Sequence, residues 1–186
     1  MEKIGGEEVY LAALHPRKSW EKTGRWPIKE LFKVKSQFGK EYALSMTHEE
    51  VITPLAKNLI ISYKDLPKYI YQIQIKMRDE KRVKSGLLRT REFIMKDLYS
   101  FHASGDDLDR YYEKVKKAYF RIFKRCGFGN NVYLTLATGG TFSPYSHEFQ
   151  VITKSGEDTI YTCQKCKKSK HAKKSRRVSK VIIGEK

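Results

Sequence analysis

The chain has 186 residues, with 38 Lys and Arg against 21 Asp and Glu and a formal net charge of +17. Hydrophobic residues make up 40% and aromatic residues 12%, which excludes a wholly disordered chain despite a mean hydropathy of −0.62. No apolar run approaches the length of a membrane span, Met1 to Glu8 hold no signal-peptide core, and three cysteines make a poor disulfide scaffold, so a cytoplasmic protein is expected.

In chain order, a strand is expected from Val9 to Leu14, ended by Pro16. A loop with Trp20 and Trp26 around Gly24 follows. Leu31–Val34 and Glu41–Leu44 read as short strands joined by a turn at Gln37-Phe38-Gly39-Lys40. Thr47-His48-Glu49-Glu50 has the form of a capping box before a helix striped by Val51, Leu55, Leu59 and Ile60. Pro54 conflicts with that helix. Either the helix starts later, with Thr53 as cap, or it is kinked.

Ile70 to Glu80 alternates. Tyr71, Ile73, Ile75 and Met77 are expected on a dry face, and Gln72, Gln74, Lys76, Arg78 and Glu80 on a polar one. Phe93 to Phe101 is a second strand, with Phe93, Met95, Asp97, Tyr99 and Phe101 on one face. Lys81 to Arg91 joins the two as a long basic hairpin loop around Gly86. Asp106–Phe123 is the clearest helix, with acids at its start, Lys124 and Arg125 at its end and Gly127 as a stop. Strands are expected at Val132–Leu136, Glu148–Thr153 and Thr159–Thr162, with a Gly/Ser/Pro loop between the first two. The whole reads as an α+β domain over residues 1–162, followed by a basic, flexible tail over 163–186.

Arg78 and Glu80 lie two residues apart, so both side chains face one cleft. An arginine fork can hold a phosphate, a carboxylate can accept from an amino group, and Phe93 on the returning strand offers a flat ring. That set suits a nucleotide. On pattern alone an ordinary surface ion pair is the stronger account of Arg78 and Glu80, because exposed charge pairs are common. The charge of +17 adds attraction to a polyanion, with nucleic acid the first candidate.

Met77-Arg78-Asp79-Glu80, the basic loop, and Arg89-Thr90-Arg91-Glu92-Phe93-Ile94-Met95-Lys96-Asp97-Leu98-Tyr99-Ser100-Phe101-His102 closely resemble motif 2 of class II aminoacyl-tRNA synthetases, in the form of the bacterial-type prolyl-tRNA synthetases. Ala13-Leu14-His15-Pro16, with Trp20 and Gly24-Arg25-Trp26, resembles the end of motif 1 and the loop after it. Thr47-His48-Glu49-Glu50-Val51-Ile52-Thr53 resembles the proline-recognition segment, and Ser146–Gln150 and Gly156–Ile160 the strands before the family's insertion.

The resemblance implies a mainly antiparallel sheet flanked by helices, in incomplete form. It implies ATP-dependent activation of proline and transfer to tRNA(Pro). Arg78 would be the catalytic cation on the α-phosphate and the proline carboxylate. Glu80 would face the adenine amino group, Phe93 would stack on the base, and Arg89 would reach the terminal phosphates. Thr47 and Glu49 would contact the proline nitrogen, and Met95, Asp97 and Tyr99 would shape its pocket. Magnesium would bridge the phosphates.

The sequence departs from the family at Ala12, where the motif 1 proline is usual, and at Ser45-Met46, where Gly-Pro is usual. Nothing downstream resembles motif 3, whose arginine clamps the γ-phosphate. The chain is therefore expected to be a fragment, one half of a split enzyme that needs a complementary chain, or a decayed gene, with dimerisation open. An inactive synthetase-like module that binds tRNA or a partner is the alternative. Cys163, Cys166 and His171 offer three zinc ligands where a structural site needs four, so zinc is not expected. A zinc-ribbon RNA-binding protein, resting on the last quarter of the chain, is the third reading. His15, His48, His102 and His147 form no ligand cluster by spacing and read as packing or hydrogen-bonding residues.

Overall fold

The computed structural model describes residues 1–84, 86–137, 146–153, 156, 159–162, 169–171 and 179–182. The chain divides into two compact units, Met1–Lys114 and Val115–Lys186.

The first unit opens with β1 (Glu7–Glu8) and β2 (Leu14–Pro16). The single strand expected from Val9 to Leu14 is not formed. Val9 N–H still donates to Tyr71 O at 2.9 Å and Ala13 O accepts from Ser45 N–H at 2.8 Å, but between them side chains meet the backbone: Leu11 N–H donates to Gln72 Oε1 at 3.3 Å, and Gln74 Nε2 donates to the Leu11 carbonyl at 3.0 Å. Two glutamines do the work of a ladder, and the chain between the strands is free to curve.

The Trp-rich stretch is helical at its start. α1 (Arg17–Lys22) follows Pro16 and buries Trp20 completely. β3 (Lys33–Lys35) and β4 (Glu41–Leu44) pair antiparallel, and β4 also pairs with β2, giving the order β2-β4-β3. The expected turn is there. Gly39 takes φ +76° and its N–H donates to Ser36 O at 3.0 Å, a backbone that favours glycine. Trp20, Leu31, Ala43 and Met46 form one buried cluster, with Trp26 and Ile28 against it.

α2 (Glu49–Leu59) begins at Glu49 and carries Pro54 inside it, so the later start at Thr53 is not adopted. Nor is Thr47 its cap: the N-cap is His48, without a side-chain cap bond. The helix buries Ile52 against Leu11 and Ile70, with Val51, Leu55, Tyr99 and Phe101 packed around them.

β5 (Lys68–Met77) and β6 (Glu92–Phe101) are the long strands, and β1 joins β5 in parallel. Their antiparallel register runs from Lys68↔Phe101 to Met77↔Glu92. The alternation is as expected, and Tyr71 is buried at 6% exposure as expected of the dry face, but from Gln72 to Lys76 the sense is reversed. Gln72, Gln74 and Lys76 are buried, at 0%, 4% and 0% exposure, whereas Ile73 and Ile75 are exposed, at 56% and 36%. Ile94, opposite Ile75, is exposed as well. The polar face turns inward because each of its groups has a partner there.

α3 (Gly105–Arg125) matches the expected helix. The Ser104 hydroxyl accepts from Asp107 N–H at 3.3 Å at its start, and Gly127 at φ +89° follows its end.

The second unit holds a sheet of β7 (Val132–Ala137), β8 (Ser146–Val151), β9 (Thr159–Thr162), β10 (Ser169–His171) and β11 (Ser179–Ile182), in the order β11-β9-β10-β7-β8. Its pairs are antiparallel except β10 with β7. Tyr119, Phe120 and Phe123 gather on Phe149, with ring centroids 5.0 to 5.4 Å apart. Two strands thus lie in the stretch read as a flexible tail. The Gly/Ser/Pro loop at 138–145 falls outside the described residues. Among the described residues, no helix is long and apolar enough to cross a membrane.

Candidate active site

The site residues expected from the sequence all belong to the first unit. A pocket of about 400 Å³ is lined by Arg78, Glu80, Leu87, Leu88, Arg89, Thr90, Phe93 and Ile94. The basic loop that bounds it continues the hairpin: Arg78 N–H donates to Arg91 O at 2.8 Å, and Lys84 and Arg89 exchange both backbone bonds at 3.1 Å. Gly86, at φ +63°, turns the tip. The structure therefore brings together Arg78, Glu80, Arg89 and Phe93.

Arg78 is half-buried and aimed by its neighbours. Its Nε donates to Met46 O at 3.4 Å and its guanidinium carbon lies 5.3 Å from the Phe93 ring centroid. The cation on a ring leaves its outer N–H groups directed at whatever enters the pocket. Lys81, Arg82, Lys84 and Arg89 stand exposed along the loop. Their field favours a polyanion.

Along the same sheet face, the register sets Met95 opposite Gln74 and Asp97 opposite Gln72. Asp97 is the hub of this face, the polar floor of the sheet. It accepts from Lys76 Nζ at 2.7 Å, Gln72 Nε2 at 2.9 Å and Tyr99 Oη at 2.6 Å. Burial raises the Asp97 carboxyl, but these three hydrogen bonds outweigh burial and hold it below the usual carboxylate range. Burial and the same bond to Asp97 push the Tyr99 phenol far up, so Tyr99 remains a donor. Asp97 is thus committed to the protein, where it fixes Tyr99 and Lys76.

Thr47, His48 and Glu49 lie where β4 passes into α2. Tyr99 faces the His48 backbone and the Glu49 carboxylate, which ties this junction to the sheet. His48 and His15 are both fully buried, with ring centroids 4.9 Å apart. Burial, then the Lys76 and His15 charges, lower His48 to about 4. Burial lowers His15 too, partly offset by its bond to Ala12 O. Both rings are neutral at pH 7.

The structure adds residues that the sequence did not single out. Lys76 and Gln72 build the floor. Arg25 and Glu50 brace Thr47: Arg25 Nη1 lies 2.6 Å from Glu50 Oε1, and Arg25 Nη2 donates to Thr47 Oγ1 at 3.1 Å. Local pattern could not find these, because Arg25 and Thr47 are far apart in the chain. Their presence in the quoted Gly24-Arg25-Trp26 and Thr47–Glu50 stretches was the available clue.

Among the described residues, no group of three His, Cys, Asp or Glu side chains could hold a metal ion. Cys163 and Cys166 lie outside the described residues, and His171 is described only by its place in β10. Glu80 is the carboxylate among the pocket's lining residues, so magnesium would fit there mainly as a ligand of phosphate oxygens, the manner in which that ion is commonly held.

An antiparallel sheet carrying an arginine, a carboxylate and an aromatic ring over one pocket defines a class. Residues 32–180 match the tRNA synthetase class II core domain (G, H, P, S and T), and the chain belongs to that family. Within it, the chain is similar to named proline–tRNA ligases. That of Bacillus subtilis is 50% identical over 163 residues, which is 86% of this chain and 28% of that protein. That of Thermotoga maritima is 46% identical over 168 residues, 89% of this chain and 29% of that protein. That of Anaeromyxobacter sp. (strain K) is 46% identical over 169 residues, with 90% and 29% covered. The chain thus spans less than a third of the length of these relatives. In fold it is similar to the prolyl-tRNA synthetase from Cryptosporidium parvum crystallised with L-proline and AMP, with a TM-score of 0.70 at 18% identity, over 81% of this chain and 31% of that one.

Proposed function

We propose that this chain forms the amino-acid-activating part of a proline–tRNA ligase, which joins proline to AMP and passes it to tRNA(Pro). The observation that carries this reading is the pocket on the hairpin, where Arg78, Glu80, Arg89 and Phe93 converge, with Arg78 bonded to Met46 O next to Thr47. In this reading the proline carboxylate attacks the α-phosphorus of ATP and pyrophosphate leaves. Charge builds on the phosphate oxygens, and Arg78, already held by Met46 O and Phe93, meets it without reorganising. Phe93 and Glu80 take the base, Arg89 takes the outer phosphates, and Thr47 and Glu49 take the proline nitrogen. Magnesium, when bound to the triphosphate, neutralises its charge. The tRNA terminal hydroxyl then attacks the prolyl-adenylate. Both steps rest on positioning and charge, with no covalent enzyme intermediate.

Partners on this reading are tRNA(Pro), proline, and a second copy or a complementary chain bearing motif 3. The cytoplasm is its place of action. The charge of +17 supports a second reading, a module that binds tRNA without activating proline. Proline-dependent exchange of pyrophosphate into ATP separates the two. The first predicts exchange that Arg78→Ala lowers by about 10²-fold or more, the scale for one preorganised charge-stabilising donor. The second predicts no exchange, with salt-sensitive RNA binding that Arg78→Ala barely changes.

A further inference from the structure

Thr47 is buried, with 8% exposure, and its hydroxyl is already spoken for. Arg25 Nη2 donates to Oγ1 at 3.1 Å, and Oγ1 lies 3.4 Å from Glu50 Oε2. The direction of each bond is forced by chemistry. A guanidinium only donates, and a carboxylate only accepts. One lone pair of Thr47 therefore takes the Arg25 proton, and the single hydroxyl hydrogen goes to Glu50. A hydroxyl has one hydrogen and two lone pairs, so one acceptor position is left and no donor.

The same guanidinium reaches Glu49. Arg25 Nη1 lies 3.5 Å from Glu49 Oε2, while the Glu49 side chain keeps 44% exposure. Glu50, by contrast, is fully buried in its side chain, held by Arg25 at 2.6 Å with Thr23 Oγ1 at 3.2 Å. Arg25 itself is fixed over Trp20, 5.2 Å from the ring centroid. The two adjacent glutamates thus divide their work. One is a buried brace, and the other is a carboxylate held at one edge and open at the rest.

We propose that Arg25 and Glu50 are positioning residues that make Thr47 a pure hydrogen-bond acceptor beside the Glu49 carboxylate, so that the junction selects a substrate with a secondary ammonium group. Two acceptors side by side match the two N–H donors of such a group. An ether oxygen in the same place would face acceptors only and be rejected, as sites built around a polar partner reject analogues that lack it. This role rests on the proline-activation reading above and adds to it the source of the donor–acceptor polarity.

Glu50→Gln is the test. It keeps the shape but places an amide N–H where Thr47 now donates, which frees or reverses the hydroxyl. In pyrophosphate exchange, the KM for proline should rise roughly tenfold to a hundredfold, the scale of one lost hydrogen bond to a charged group, while the KM for ATP stays within about twofold. Inhibition by tetrahydrofuran-2-carboxylate, in which oxygen replaces the ring N–H, should be weak in the wild type and stronger in Glu50→Gln. A purely structural loss would not improve binding of that analogue. Should Glu50→Gln fail to fold, Arg25→Lys, which keeps the charge, is the second variant and should show the same KM split. Unchanged proline KM, or parallel shifts in both KM values, overturns the proposal. A folded wild type without proline-dependent exchange, both alone and mixed with the motif 3-bearing remainder of a related proline–tRNA ligase, overturns the functional reading instead, and this role with it.

Discussion

The two faces of the β5–β6 pair are built on opposite rules. On the inner face, Gln72, Gln74 and Lys76 are buried and every one is spent: on Leu11, on Asp97, or on the strand itself. On the outer face Ile73, Ile75 and Ile94 stand exposed with no polar work to do. The polar face can lie inside because each of its groups is hydrogen-bonded there, and satisfied hydrogen bonds in a protein interior fix positions well. Burying a lysine is tolerable only because Asp97 lies 2.7 Å away. Burial on this face thus combines satisfied polar groups with the apolar cluster of Leu11, Ile52 and Ile70.

That contrast can be broken from either side. Lys76→Ala leaves Asp97 in the floor without its cation. A loss of about 3 to 5 kcal/mol is expected, the scale for breaking a buried pair by removing one partner, and urea unfolding measures it. The neutral histidine pair behind the floor predicts a smaller, pH-dependent effect. His48 has a folded value of about 4 against an ordinary value near 6.5. The unfolded chain then binds more protons in that window, so stability is full above pH 6.5 and falls as the pH drops toward 4. The total is about 3 kcal/mol from the linkage relation, and His48→Gln should flatten the profile between those values in thermal unfolding. The smallest effect belongs to the outer face. Ile73→Thr exchanges one β-branched residue for another at an exposed position and should change stability by no more than about 0.5 kcal/mol.

Much of this was legible in the sequence. The long strands, the basic hairpin loop and α3 follow from periodicity and end signals, and the family from ordered motifs around Arg78, Thr47 and Phe93. What local pattern could not give was which face lies inside. Alternation separates Gln72, Gln74 and Lys76 from Ile73 and Ile75 whichever way the sheet is turned. The decision rests on partners far along the chain, such as Leu11 and Asp97, that no window around β5 contains. The start of α2 was misread for a related reason. Thr47 has the right type and spacing for a cap, but its hydroxyl is engaged by Arg25 and Glu50. The same long-range pairing hid Arg25, whose role is visible only once residues 25 and 47 are brought together.

The central claim is that the polar inner face and its hairpin pocket form a prolyl-adenylate site. Isothermal titration with a non-hydrolysable sulfamoyl analogue of prolyl-adenylate tests it most directly, because it asks for binding alone. The account predicts stoichiometric binding to the wild type and a loss of about tenfold or more in affinity on Arg78→Ala, with folding unchanged, on the scale of a lost charged hydrogen bond. Absence of binding to folded wild-type protein, or equal affinity in the variant, would contradict it.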